Sequence, residues 1–376
     1  MTELRATSPD GYPVTARDTG SGPRSTYFEH TDHTDHANGS TSPNGAASST
    51  DFTGSTGSTG STGFTGSDSA NGSIGSTGPT GSDNANSANS STDSTGSTSP
   101  TDLNSSHSSN HSESSKPPTT PTTLLIIHPG GGDLTSWDAV ATLLRPDFRV
   151  VQPQRRIYAP GADITLPHSV AVEAADVLAI TEILEPPIVL VGHSSGAVAA
   201  LEAALATPSA YAGLVLYEPP LPTRSLVGGA AVVEARAVFE KGDPVEAMRI
   251  HLRDIVRFPG DLVDAMLADE QTQQAFTTHA GAQIADAEAI DALGVGTERF
   301  AALDVPTVLI EGDTSPAHLR ERLADLAAVL PDAEVVTLAG QGHIAHIAAP
   351  DLLAETVRRA ARRFVAAHES EAANRG

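Results

Sequence analysis

The residues best suited to covalent chemistry lie in Gly192-His193-Ser194-Ser195-Gly196, where glycines flank a serine at the spacing G-x-S-x-G. A serine hydroxyl is a weak nucleophile until a neighbouring base takes its proton. Glycines on either side permit a very sharp strand-to-helix turn, which lifts the middle serine above a sheet. The context fits: the preceding Ile188-Val-Leu-Val191 is β-branched and apolar, and the segment after Gly196 is rich in alanine. Ser194 is therefore the expected nucleophile. Ser195 supplies its backbone amide, at the positive end of the new helix, to a developing oxyanion.

Two further groups fall in the order that acyl chemistry on Ser194 requires. His128-Pro129-Gly130-Gly131-Gly132 follows an apolar run, and Gly130 or Gly131 could give the second oxyanion donor. Near the end of the chain, Gly340-Gln341-Gly342-His343 follows the last apolar run, where a general base would sit. His343 is the expected base, with His346 as a nearby second candidate.

The elements that must hold these groups alternate. Strands are expected at residues 122–128, 148–154, 188–191, 213–217, 306–311 and 334–338, and helices at 136–144, 170–184, 195–206, 316–330 and 350–368. That rhythm implies an α/β fold with a mostly parallel sheet flanked by helices. Residues 222–302 break it with consecutive helices and no strand, as an inserted cap would. Earlier, Pro9-Asp10-Gly11 is a turn signal between two short alternating segments, so residues 1–24 read as a β-hairpin. Residues 369–376 read as a flexible tail.

Composition narrows the function classes. The chain has 376 residues, of which 39% are hydrophobic. The shortfall is local, because residues 25–120 are almost wholly Ser, Thr, Gly, Asn and Asp and contain no valine. Such a segment cannot offset the entropy of ordering, and disorder is expected there. The remainder, roughly 280 residues, is ample for one core. Glycine recurs every third residue from Gly54 to Gly66 and from Gly72 to Gly81, but Pro79 is alone in these stretches and Ser69 breaks the register, against a collagen helix. His30, His33 and His36 lack a scaffold that would make them a metal site. There is no cysteine, so disulfides and thiolate chemistry are excluded. The formal charge of −24, with only Lys116 and Lys241 as lysines, argues against nucleic acid or an anionic membrane as partner. Residues 1–12 carry no secretory apolar stretch and no run reaches membrane-span length, so a cytoplasmic location is expected.

With these motifs in order, the sequence resembles the α/β-hydrolase superfamily, in its cofactor-free esterase and haloperoxidase-like branch. The resemblance implies Ser194 as nucleophile, His343 as base, and Gly130 with Ser195 as the oxyanion hole, with neither cofactor nor metal. Trp137 matches a tryptophan common after the oxyanion loop, where it packs, and Pro129 stands where the family usually has glycine. Members begin with a hairpin that runs straight into the strand before the oxyanion loop, which makes residues 25–120 an insertion into the hydrolase core (121–368). The acid is less determined. The family's usual position, three residues beyond Gly312, is Ser315; Asp313 in the same loop is the first choice, and Glu218, after Gly213-Leu-Val-Leu-Tyr217, is the alternative. Arg155-Arg156 reads as a solvated or salt-bridged loop element. The function implied is hydrolysis of a small neutral ester or acyl compound through an acyl-enzyme. A C–C bond hydrolase, a perhydrolase or a catalytically silent binding protein are the alternatives. Epoxide hydrolases and dehalogenases are disfavoured, since they carry aspartate where Ser194 stands.

Overall fold

Alternation of side chains along a strand lets one sheet bury two faces at once, and the central strands exploit this fully. In a computed structural model, which describes residues 1–20, 121–163 and 168–375, eight strands form one sheet in the order β1-β2-β4-β3-β5-β6-β7-β8. The expected disorder and insertion of residues 25–120 lie outside the described residues. The strands are β1 (Thr2–Thr7), β2 (Pro13–Asp18), β3 (Thr123–Ile127), β4 (Arg149–Pro153), β5 (Ile188–His193), β6 (Gly213–Tyr217), β7 (Thr307–Gly312) and β8 (Ala333–Leu338). From β4 to β8 every neighbouring pair is parallel, while β1 and β2 are antiparallel additions at one edge.

Leu125, Ile127, Leu190, Leu214, Leu216 and Leu309 point to one face, packed under α2 (Val170–Thr181), α3 (Ser195–Ala206) and α9 (Ala317–Ala327). Leu124, Ile126, Val189, Val191, Val215 and Ile310 point to the other, under α1 (Asp138–Leu144) and α11 (Pro350–Arg375). The sheet is thus a covered α/β layer, as the run of apolar strands implies. The helix α11 continues to Arg375 instead of ending in a tail at 369, because Ala, Glu and Arg dominate its last turns and neither Gly nor Pro interrupts them.

Between β6 and β7 the chain builds only helices: α4 (Gly229–Glu240), α5 (Pro244–Ile250), α6 (Gly260–Ala268), α7 (Glu270–Thr278) and α8 (Ala280–Asp291). A π-helical turn, His251–Ile255, follows α5. These helices form the cap over the C-terminal ends of the strands. A short helix, α10 (Ala345–Ala348), precedes α11.

The hairpin turns at Ser8–Tyr12, where Gly11 has φ +86° and donates to Ser8 O at 2.8 Å. Its far end is fastened by Arg156, which bridges Asp10 and Asp176 of α2 and stacks over Tyr12. Val14 and Ala16 of β2 enter the same core as Leu125 and Leu190. Val14→Ala is expected to destabilise the protein by about 2 kcal/mol, from two lost methyl groups and the gap they leave. Thermal unfolding should then move down by roughly 4–8 °C; an unchanged midpoint would mean that β2 is not part of the core.

Candidate active site

The turn that carries Ser194 is set by two close approaches. A Cβ on Gly192 would lie 2.5 Å from Ala197 Cα, and one on Gly196 would lie 2.3 Å from His128 O, so both positions exclude a side chain. Ser194 itself is held at φ +52° with its N–H donating to Tyr217 O at 2.9 Å. Left-handed backbone at a non-glycine residue stores strain, and such residues cluster at functional sites. Among the described residues only Ser194, Glu218 and Arg257 show it.

His343 joins the other two positions. Its Nε2 is 3.1 Å from Ser194 Oγ, and its Nδ1 is 2.6 Å from Glu218 Oε2. Glu218 has no solvent exposure, and its second oxygen accepts the Gly312 N–H at 2.8 Å. The carboxylate fixes the proton on Nδ1 and leaves the Nε2 lone pair facing Ser194, an assignment made from the hydrogen-bond network. Asp313, the first choice of acid from the sequence, does not reach His343. It is exposed, and its Oδ1 accepts the Gly340 N–H at 2.7 Å, so it braces the loop that carries His343 from outside. The reason is directional: Gly312 turns its N–H inward to Glu218, and the next residue leaves on the solvent side.

The His343 loop is held by the residues that precede Ser194 and Glu218. His193 Nε2 lies 3.0 Å from His343 O, and Trp137 donates to His193 Nδ1 at 3.4 Å, which makes His193 the donor to the loop. Tyr217 donates to Gly342 O and accepts from Ala345 N–H, while its ring stacks on His193 at 4.5 Å. Burial above all, then the neighbouring His346 and His343, hold His193 well below the ordinary histidine pKa, so it stays neutral. His346, the second candidate base, stacks on Trp137 and makes no contact with Ser194 Oγ within hydrogen-bond range.

The glycine loop lies against the start of α3. His128 Nδ1 donates to Pro129 O, and burial together with Arg155 pushes its pKa down to about 3. A Cβ on Gly130 would lie 2.9 Å from Tyr158 Oη and 3.2 Å from Ser195 Oγ, and Gly131 has φ +75°. Gly130, Ser194, Ser195 and His343 all line one cavity of about 340 Å³ beneath the cap. Among the described residues no group of three or more His, Asp or Glu is arranged to hold a metal ion, and no helix is long and apolar enough to cross a membrane.

A model of the alpha/beta hydrolase family matches residues 124–356. The chain belongs to the alpha/beta hydrolase family. Among solved structures, it is similar to an alpha/beta hydrolase from Sphaerobacter thermophilus at 27% identity, covering 64% of this chain and 92% of that one with a TM-score of 0.56. A thermophilic esterase from Thermogutta terrifontis shares 22% identity over 65% of this chain and 91% of its own, with a TM-score of 0.50. A Mycobacterium tuberculosis protein assigned as a non-heme bromoperoxidase, BpoC, shares 20% over 66% and 93%, with a TM-score of 0.51. The last two likenesses show the fold alone. A comparison with curated proteins returns no match.

Within this alpha/beta hydrolase, Arg155 is salt-bridged, one of the two readings its place in the sequence allows, but its burial was not foreseen. It is only 3% exposed and sits at the centre of a buried network. Its guanidinium donates to Glu173 at 2.8 Å, to Ser195 Oγ at 2.8 Å and to both oxygens of Asp286 at 2.7 and 2.8 Å. Tyr158 Oη and His168 Nε2 also engage Asp286. Burial opposes the charge on Arg155, but Asp286 and Glu173 outweigh it and hold the guanidinium above its ordinary pKa. The network links β4, α2, the start of α3 and cap helix α8. The only local signal was an arginine directly after an apolar strand; its partners are 18 and 131 residues away. Arg155→Met should cost about 3–5 kcal/mol, because it leaves two buried carboxylates without their cation. Urea unfolding checks this, and a loss under about 1 kcal/mol, the range of a surface pair, would contradict the buried network.

Proposed function

We propose that the chain is a serine hydrolase that cleaves a small neutral ester through an acyl-enzyme on Ser194. The observation that carries this reading is the continuous hydrogen-bonded chain from Glu218 through His343 to Ser194, opening on an apolar cavity. His343 Nε2 takes the Ser194 proton as Oγ attacks the acyl carbon. The negative charge that forms on the carbonyl oxygen is met by the backbone N–H groups of Gly130 and Ser195, the latter at the start of α3. The imidazolium, stabilised by Glu218, returns its proton to the leaving alkoxide. Water then enters, loses a proton to His343 and attacks the acyl carbon, and the carboxylic acid leaves as Ser194 recovers its hydrogen.

The lining supports a neutral substrate. Leu252, Ile255, Phe258, Phe276 and Ile290 make the cavity wall apolar. The carboxylate of Asp286, which reaches this wall, is already bound to Arg155, so it offers no free charge to a cationic substrate. Fold alone does not separate an enzyme from a silent binding protein, but an activated serine does.

Labelling by a fluorophosphonate probe and turnover of a short p-nitrophenyl ester test the reading together. Ser194→Ala is expected to abolish both. Ser195→Ala keeps the backbone amide and loses one hydroxyl contact, so its turnover should stay within about tenfold of the parent. Absence of labelling in the folded parent protein, or equal loss in both variants, would overturn the assignment.

A further inference from the structure

Three buried histidines line the cavity with an Nδ1 that has no hydrogen-bond partner among the described residues: His251, His318 and His346. Packing accounts for His346, which stacks on Trp137 and meets His193 edge-on. His318 lies at the start of α9, in the combined field of Arg257, Arg322 and His343. His251 differs from both, because it comes from the cap: on its own turn Leu252 and Ile255 are buried with it, while Arg253 and Asp254 pair with each other. Leu252, Ile255 and Val256 line the cavity beside it.

Its backbone sets it there. The π-helical turn is closed by Val256 N–H to His251 O at 2.9 Å, and Phe258 N–H reaches Leu252 O at 3.0 Å. Such turns are uncommon and recur at functional sites, where the wider turn re-aims one side chain. The charge that acts on His251 is Asp286, whose oxygens are occupied by Arg155, Tyr158 and His168. His251 is 8% exposed, and burial pushes its pKa down to about 4, so the ring is neutral at pH 7. A neutral imidazole has one N–H and one acceptor nitrogen. Of the two ring nitrogens only Nδ1 is sealed from solvent without a partner among the described residues, so a proton there would be an unpaired buried donor. The proton therefore belongs on Nε2, and the partnerless Nδ1 is the bare acceptor. An apolar side chain of similar size would fill this place without an unpaired polar atom.

We propose that His251 determines specificity by donating its Nε2–H to an oxygen on the acyl chain of the substrate. The preferred substrate class is then an ester of an oxo- or alkoxy-substituted carboxylic acid: apolar enough for the cavity, with one accepting oxygen beyond the ester group. This inference rests on the acyl-enzyme reading of Ser194. A site built to pair a substrate polar group discriminates strongly against an analogue that lacks it, because the protein group is left unsatisfied.

The test compares p-nitrophenyl 4-oxopentanoate and 5-oxohexanoate with the matched pentanoate and hexanoate, and the corresponding methoxy-acyl esters with their alkyl counterparts. At least one oxygenated ester is expected to exceed its plain partner in kcat/KM by about 10–100-fold. In His251→Leu that ratio should fall to about 1, whereas His251→Gln, which keeps an N–H donor, should retain part of it. A ratio near 1 for every pair in the parent protein, or an unchanged ratio in His251→Leu, overturns the proposal. Fluorophosphonate labelling of the parent separates the outcomes: labelling with no oxygen preference defeats only the role of His251, whereas no labelling defeats the reading of Ser194 itself.

Discussion

A carboxylate with no access to water must find its hydrogen bonds inside the protein, and Glu218 is such a group. One oxygen takes the Gly312 N–H at the end of β7, and the other takes the His343 ring from the loop after β8. Glu218 itself sits in left-handed backbone at the end of β6, with its own N–H donating to Ile310 O. Three neighbouring strands are thereby tied to one side chain. Their parallel register decides that the imidazole arrives over Ser194 at the end of β5. Loss of either donor would leave a buried charge unpaired, so the geometry of the site and the stability of the sheet ends are coupled.

The two sides of Ser194 handle charge differently. On one side, Glu218 stands with a single imidazole and an amide, and His193 and Tyr217 hold the loop that brings this imidazole. On the other, Arg155 is ringed by Glu173 and Asp286 and reaches the Ser195 hydroxyl at the start of α3. The first arrangement leaves a basic nitrogen aimed at Ser194. The second locks the glycine loop, the start of α3 and cap helix α8 into one rigid wall, so the amides proposed to meet an oxyanion keep their direction.

Sequence and structure agree where the signal is local. The turn around Ser194 needs only glycines, a β-branched strand and an alanine-rich helix within a short span, and α3 begins at Ser195 as that pattern predicts. The His343 loop was equally legible, since it follows a strand and contains two glycines. The partner of His343 was not, because Glu218 and Asp313 both end adjacent parallel strands and both sit in loops with proline. Only the path of the backbone separates them: Gly312 turns inward and Asp313 outward. Arg155 is salt-bridged, as one of its two sequence readings has it, but its burial was hidden for a related reason. That burial depends on carboxylates from α2 and from the distant cap.

The central claim is that Glu218, and not Asp313, orients His343. Turnover of a short p-nitrophenyl ester by Glu218→Gln and by Asp313→Asn, each compared at equal folded fraction by circular dichroism, tests it most directly. Glu218→Gln is expected to lose on the order of ten-thousandfold in kcat, as the removal of an orienting carboxylate does in a triad. Asp313→Asn, which keeps an oxygen for the Gly340 N–H, should stay within about tenfold of the parent. The reverse pattern, a severe loss at Asp313 with a mild one at Glu218, would contradict the account.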